Sequence, residues 1–286
     1  MGERGATKSL GNIKVSLGIP SRTPACYDLV AGWRRPMADT SIEWTDATWN
    51  PVAGCTIVSK GCTNCYAMRM AARLEAMRVE KYSGLTKKTK KQAVWTGRIF
   101  CDENALSIPS KWQKPRKIFV NSMSDLFHED VPIEFIKRVW DVMAVTTQHT
   151  YQILTKRPER MAGVLGQPGF QKLPNVWLGT SVEDSEALHR LDSLRKVPAY
   201  IRFVSFEPLV GSVARANLKE IDWAIIGGES GPRARPMDAK WVDEIKALCE
   251  RSTTAFFFKQ WGGKNKKAAG RSYKDRTWDD LPTLRM

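Results

Sequence analysis

Apolar positions in this chain fall into short β-branched or aromatic runs that alternate with longer stretches of helical period. The runs are SIEW (41–44), RIFC (98–101), KIFV (117–120), YQIL (151–154), VWLG (176–179), IRFV (201–204), WAII (223–226) and FFFK (256–259). Helix-like segments at Tyr66–Val79, Ile133–Val145, Ser185–Leu194 and Ala239–Cys249 lie between most of them, and Pro132 stands where helix starts tolerate proline. Strand and helix alternating in this way imply parallel strands joined by helical crossovers. Eight runs predict an α/β fold of the (β/α)8 TIM-barrel type, closed or partly open, with an open doubly wound sheet as the alternative.

The polar residues after the runs sharpen this expectation. CDEN, NSMSD, TKRP, TSVED, SFEP, GGESG and KQWGG each follow a run directly. Barrel enzymes build their sites from loops at the C-terminal ends of the strands. Any one of these residues could equally cap the next helix, as Thr180, Ser181 or Asp184 would. Polar groups after so many strands nevertheless predict an occupied barrel mouth.

Residues 1–36 carry glycine and proline without a sustained period, and Met37 opens a stretch that reads like a natural start. The expected organisation is a flexible or non-native extension over 1–36, the barrel over 37–263 and a basic tail over 264–286. Cys26 falls in the extension and receives no role. No segment approaches the roughly 18 apolar residues of a membrane span, and no apolar signal core opens the chain, so a cytoplasmic protein with no membrane partner is expected.

Charge then narrows the partners. The chain of 286 residues has a formal net charge of +15 and a pI near 9.7. An excess this large favours polyanions such as nucleic acid. It is uneven: between Lys60 and Arg98, ten Lys and Arg face only Glu75 and Glu80. Within that segment KKTKK (Lys87–Lys91) has no apolar periodicity and reads as a loop, either a solvated surface or a nucleic-acid contact.

Six cysteines in a chain this long are no secreted disulfide framework. Three of them, Cys55, Cys62 and Cys65, stand as C-x6-C-x2-C in GCTIVSKGCTNCYA, after the first strand candidate and just before a helix. Thiolates are favoured near a helix N-terminus. A structural zinc site would need a fourth ligand, with Cys101, Cys249 or His128 available. A redox C-x2-C would leave Cys55 unexplained. An iron–sulfur cluster held by three thiolates uses all three and keeps one iron open.

This cysteine arrangement resembles that of the radical S-adenosylmethionine (SAM) enzymes, although their usual spacing is C-x3-C-x2-C. WNPVAGC…GCTNCYA (Trp49–Ala67) is similar to the N-P-x-x-G-C…G-C-x-x-C-Y-A segment of the branch related to spore photoproduct lyase. More closely, the chain resembles a family of phage and prophage proteins of unassigned function, through pieces such as IEWTDATWNPVAGC, FVNSMSDLFHEDVP, RFVSFEPL and IIGGESGPRARPM between Ile42 and Gly263. The radical SAM resemblance implies a closed or partly open barrel in which Cys55, Cys62 and Cys65 hold a [4Fe–4S] cluster. It further implies SAM on the open iron, an electron-donor protein, and a 5′-deoxyadenosyl radical that removes a hydrogen atom from the substrate. The basic charge and the phage-type resemblance point to a nucleic-acid base or nucleotide, in DNA modification or repair.

Candidate residues follow from position and from that resemblance. Tyr66, Glu183, Glu207, Gly227, Gly228 and Glu229 are candidates for the SAM side, with tight turns and exposed ion pairs as the alternatives. Asp125, Lys156, Arg157, Arg233, Arg235 and Lys259 are candidates for the substrate side, the basic ones for an anionic group, with Lys259 equally suited to an ion pair at the barrel end. His128 is expected to be a structural hydrogen bonder, and Trp44 and Trp49 to pack in the core or rim. Two rival functions remain: a non-catalytic, zinc-stabilised nucleic-acid-binding protein using the Lys60–Arg98 region, and a barrel enzyme for a small metabolite.

Overall fold

The computed structural model describes residue 1 and residues 40–283. The expected extension over 1–36 beyond its first residue, Cys26 within it, residues 37–39 and the last three residues lie outside the described residues.

Seven parallel strands form one sheet: β1 (Ala47–Trp49), β6 (Lys117–Val120), β7 (Thr150–Thr155), β8 (Val176–Ser181), β9 (Ile201–Phe206), β10 (Trp223–Gly227) and β11 (Ala255–Gln260), hydrogen-bonded in that order. Two antiparallel pairs stand outside it, β2 (Val52–Ala53) with β5 (Phe100–Cys101) and β3 (Thr86–Lys88) with β4 (Ala93–Trp95). The helices are α1 (Tyr66–Ala76), α2 (Ile133–Val145), α3 (Pro158–Leu165), α4 (His189–Arg195), α5 (Ala239–Ser252) and the short α6 (Lys266–Ala269). The result is a mixed α/β fold whose seven-stranded sheet forms a half-barrel, a partly open TIM-like arrangement.

Six of the eight expected runs enter this sheet. RIFC narrows to Phe100–Cys101, which pairs antiparallel with β2 and so cannot join a parallel crossover series. SIEW is no strand; β1 falls at Ala47–Trp49 instead. Trp44, 3% exposed, turns into the barrel and becomes its floor. Its ring centroid lies 4.7 Å from Phe119, 6.4 Å from Phe203 and 6.1 Å from Trp223. Leu154, Trp177, Ile225 and Phe257 belong to the same apolar cluster.

The alternate strand residues, among them Ile118, Ile153, Leu178, Val204, Ala224 and Phe258, join the larger core. There α2 contributes Phe135, Ile136, Val139, Trp140 and Met143, a stripe at helical spacing. Both faces of the strands are therefore buried, which is why the runs read as continuous rather than alternating. Trp49 lies in this outer core, its Nε1 donating to the Ala105 carbonyl at 2.8 Å.

The free edge of β11 is covered by the segment after it. Phe258 N donates to Trp278 O at 2.9 Å, Phe257 forms an antiparallel bridge with Asp279, and Tyr273 packs on Phe256 and Phe258 at ring distances of 5.9 and 5.5 Å. Part of the basic 264–286 segment thus protects a sheet edge that would otherwise offer unpaired backbone groups. Among the described residues no helix is long and apolar enough to cross a membrane.

The inner face leaves no room at Gly179, where a Cβ would sit 2.6 Å from the Phe203 ring. Gly179→Ala is expected to cost about 1–3 kcal/mol through overpacking. Combining it with Phe203→Leu should recover at least about 0.5 kcal/mol relative to the sum of the two single changes. Urea denaturation of the three variants checks this, and strictly additive losses would contradict the packing described.

Candidate functional site

The three neighbouring cysteines lie on the loop that leaves β2 and enters α1. Gly54 starts it at φ +90°, with the Arg98 carbonyl oxygen 2.2 Å from where a Cβ would stand, so only glycine fits there. A 3-10 turn over Lys60–Cys62 follows, and Cys65 occupies the N-cap of α1. All three cysteines are free thiols, each partly buried. Burial, with the negative charge of Asp125, pushes the Cys55 thiol up to about 12 against the lowering influence of Arg157. Burial also raises Cys65, opposed by hydrogen bonds from the Ala67 and Met68 backbone at the start of α1.

Residues two positions past three strand ends hold this loop. Arg157, beyond the β7 end at Thr155, donates from Nη2 to Thr56 Oγ1 at 2.5 Å, beside Cys55. Its Nη1 donates to Asp125 at 3.0 Å and its Nε to Glu129 at 2.8 Å. Asp125 also accepts from Thr155 Oγ1 at 2.7 Å and from Lys156 N at 3.2 Å. His128 Nδ1 accepts from Asp130 N at 3.1 Å, which leaves the ring hydrogen on Nε2 to meet Thr56 Oγ1 at 3.1 Å. His128 is thus a structural hydrogen bonder.

Glu183, beyond the β8 end at Ser181, is 1% exposed. It accepts from Gly61 N at 3.2 Å and from Arg190 at 2.8 Å, with Lys156 Nζ 3.8 Å away. Glu229, beyond the β10 end at Gly227, accepts from Asn64 Nδ2 at 2.9 Å and from Arg235 through its backbone N, Nε and Nη2 at 2.9, 3.0 and 2.6 Å. Arg235 also donates to Lys60 O at 3.0 Å. Burial raises both carboxyls, yet their partners outweigh it: Lys156, Ser59, Arg190 and Gly61 hold Glu183 below the usual carboxylate range, and Arg235 and Asn64 do so for Glu229.

Asp125, Arg157, Glu183, Glu229 and Arg235 are therefore gathered around the cysteine loop itself. The Arg233 carbonyl accepts from Asn64 Nδ2 at 2.9 Å, while its guanidinium turns to the β3–β4 hairpin, donating to Lys91 O at 2.7 Å and Gln92 Oε1 at 2.9 Å. Gly228 allows close approach within the chain, since a Cβ there would meet the Trp261 carbonyl oxygen at 2.0 Å. Glu207 and Lys259 pair at 2.7 Å, and a Cβ on Gly227 would lie 3.1 Å from the Glu207 side chain. Tyr66, 46% exposed, donates its hydroxyl to Ser122 O at 2.6 Å. Tyr66, Lys156, Glu207, Gly227, Gly228, Lys259 and the Arg233 side chain are thus the sequence candidates not used mainly to hold the loop.

The site also uses residues that the sequence did not single out: Thr56, Gly61, Asn64, Glu129 and Arg190. Asn64, inside GCTNCYA, carried a local signal. The pairing of Glu183 with Arg190 depends on a 3-10 turn between them and did not. Of the fourth-ligand candidates for zinc, Cys101 and Cys249 pack in the main core, whereas Cys55 and Cys65 pack against the smaller cluster with Ala67 and Met68. Among the described residues no three Cys, His, Asp or Glu side chains converge on a single-ion position. Three soft sulfur donors on one loop fit an iron–sulfur cluster, in which each thiolate binds its own iron.

A sequence profile described as "Protein of unknown function (DUF5131)" matches residues 39–282. No curated protein matches the chain. Among solved structures, a mutant of spore photoproduct lyase is 12% identical, with a TM-score of 0.49 over 78% of this chain and 79% of that one. A second mutant of that lyase is 11% identical, with a TM-score of 0.47 over 78% and 79%. A third, with bound AdoMet and dinucleoside spore photoproduct, is 12% identical, with a TM-score of 0.44 over 77% of this chain and 65% of that one.

Because Glu183 and Glu229 are held low, their contribution to stability is complete above the unfolded carboxyl value of about 4.3 and is lost as pH falls through their lower folded values. Glu183→Gln should cost about 3–5 kcal/mol at neutral pH by leaving Arg190 and Lys156 without a buried counter-charge. Combined with Glu229→Gln, it should flatten the acid limb of stability against pH. Denaturation series at successive pH values measure this, and acid limbs parallel to the wild type would contradict the clamp.

Proposed function

We propose that this chain, which belongs to the DUF5131 family of proteins of unknown function, is a radical SAM enzyme acting on a nucleic-acid base or nucleotide. The observation that carries this reading is a loop of three free thiols held over the C-terminal ends of a parallel half-barrel by buried polar residues just past the strands. The cysteine spacing alone would suit several metals. Its placement at the end of the sheet where barrel enzymes work favours a catalytic centre.

Cys55, Cys62 and Cys65 would hold a [4Fe–4S] cluster, which together with SAM would supply one-electron chemistry able to take a hydrogen atom from the substrate. The chain's own residues do the rest. Thr56, Gly61 and Asn64 fix the loop against Arg157, Glu183 and Glu229, so each cysteine is flanked by an anchored neighbour. The Trp44 floor closes the far end of the barrel interior and keeps water out on that side. Glu207 and Tyr66 are the groups proposed for the polar parts of SAM, with the Gly227 backbone beside them. Lys156 and Lys259 are proposed for an anionic substrate. Ile57 and Val58, 51% and 42% exposed between Cys55 and Cys62, offer apolar contact at the mouth that suits the face of a base. The net charge of +15 supports a nucleic-acid substrate, in DNA modification or repair.

Anaerobic reconstitution with iron, sulfide and zinc counted per chain tests the reading. About four irons per chain are expected, with 5′-deoxyadenosine released when SAM and a reductant are added. Cys55→Ser, Cys62→Ser and Cys65→Ser should each lose most of the iron while keeping the folded circular dichroism spectrum. One firmly held zinc per chain, no SAM cleavage, and unfolding of the cysteine variants would instead establish the zinc-stabilised binding protein.

A further inference from the structure

The β3–β4 hairpin is short, cationic and tied to the cysteine loop. Its turn is closed by Thr89, whose N donates to Gln92 O at 2.9 Å and whose hydroxyl accepts from Gln92 N at 3.1 Å. Its base is rooted by buried Leu85 and Trp95 and by Glu75, which accepts from Gly84 N at 2.7 Å and Thr86 Oγ1 at 3.2 Å. Glu75 is one of only two carboxylates between Lys60 and Arg98, and it is used to build the hairpin. Lys60 and Lys81 find partners in Glu186 and Asp102. Lys87, Lys88, Lys90 and Lys91 are exposed, and no carboxylate among the described residues pairs with them. By the strand register Lys87 faces Val94 and Lys88 faces Ala93, so no charge across the hairpin offsets any of the four, and together they form one exposed cationic surface.

The tip meets the site. Gln92 Nε2 donates to Thr63 O at 2.6 Å, between Cys62 and Cys65 in the chain, and Arg233 links Lys91 O, to which its guanidinium donates, with Asn64, whose Nδ2 donates to the Arg233 carbonyl. We infer that this hairpin is a docking rail for the phosphate backbone of a polynucleotide, which it delivers to the cysteine loop. Lysines act as point charges and read no sequence, as backbone binding requires. Four positive charges fall within the five residues that end β3 and enter the turn, while each strand of a duplex carries a charge about every 3.4 Å. A single phosphate cannot neutralise such a surface, and a polymer can. A membrane-surface segment would be an amphipathic helix with an apolar face, which a hairpin of this composition lacks. The rail deepens the function proposed above and rests on it only for the chemistry after docking.

The test is fluorescence anisotropy with labelled single-stranded DNA, duplex DNA and single-stranded RNA, titrated on anaerobically reconstituted protein from about 50 to about 200 mM salt. Combined Lys87→Ala, Lys88→Ala, Lys90→Ala and Lys91→Ala should lower the slope of log affinity against log salt by roughly three and weaken low-salt binding at least about tenfold. A charge-matched control, Lys172→Ala, Lys196→Ala, Lys219→Ala and Lys240→Ala, should stay near wild type. The nucleic acid that loses most identifies the source of the phosphate backbone. Equal losses in the two quartets, no binding to any of the three probes, or hairpin-dependent binding only to anionic lipid vesicles would each overturn the rail. Iron content in the hairpin quartet should remain at the wild-type level. Hairpin-dependent DNA or RNA binding by a protein that holds no iron would remove the radical reading and leave the rail standing.

Discussion

The Glu183 carboxylate, buried just past β8, accepts from the Gly61 backbone at 3.2 Å while Arg190 neutralises it at 2.8 Å. A charge at that depth is tolerated only where donors surround it. One of those donors is the peptide next to Cys62, so satisfying the carboxylate also fixes the loop. Glu229 repeats the device through Asn64, next to Cys65, and Arg157 repeats it with opposite sign through Thr56, next to Cys55. Each cysteine thus has a neighbour tied to a different strand end. The sheet in turn sets the spacing of those ends, and the relative positions of the thiols follow from strand geometry rather than from the loop's own stiffness.

The half-barrel suits this arrangement. Seven strands without closure leave two edges, and the chain covers the β11 edge with Trp278, Asp279 and Tyr273. Trp44 closes the interior at the other end with aromatic contacts to Phe119, Phe203 and Trp223. The cysteine loop lies past the C-terminal ends of the strands, tied to the lysine hairpin through Gln92 and Thr63.

Much of this was legible in the sequence, and the failures have physical causes. Six strands, the position of α2 and the polar residues after each strand followed from periodicity, because buried parallel strands leave continuous apolar runs. Ile42 and Trp44 misled because an aromatic residue plugging a barrel floor looks, in one dimension, like one in a strand. RIFC misled because a two-residue antiparallel pair has no periodicity to distinguish it from a parallel strand. At the site, residue types and positions were readable, but their partners were not. Glu183, Glu229 and Arg157 could be placed past strands, yet their links to Gly61, Asn64 and Thr56 span more than one hundred residues. KKTKK read as a loop, but Lys87 and Lys88 lie in β3, opposite Val94 and Ala93, and only the residues after them enter the turn. The flanking Thr86–Lys88 and Ala93–Trp95 pairing was hidden because lysines mask strand propensity.

The central claim is that the strand ends hold three thiols so that a cluster on them keeps one corner open to SAM. Electron paramagnetic resonance of the reduced, reconstituted protein, recorded with and without SAM, tests it most directly. A cluster signal whose g-values shift on adding SAM is the predicted result. A spectrum identical with and without SAM, at full iron loading, would mean that no iron is open to it and would contradict the account.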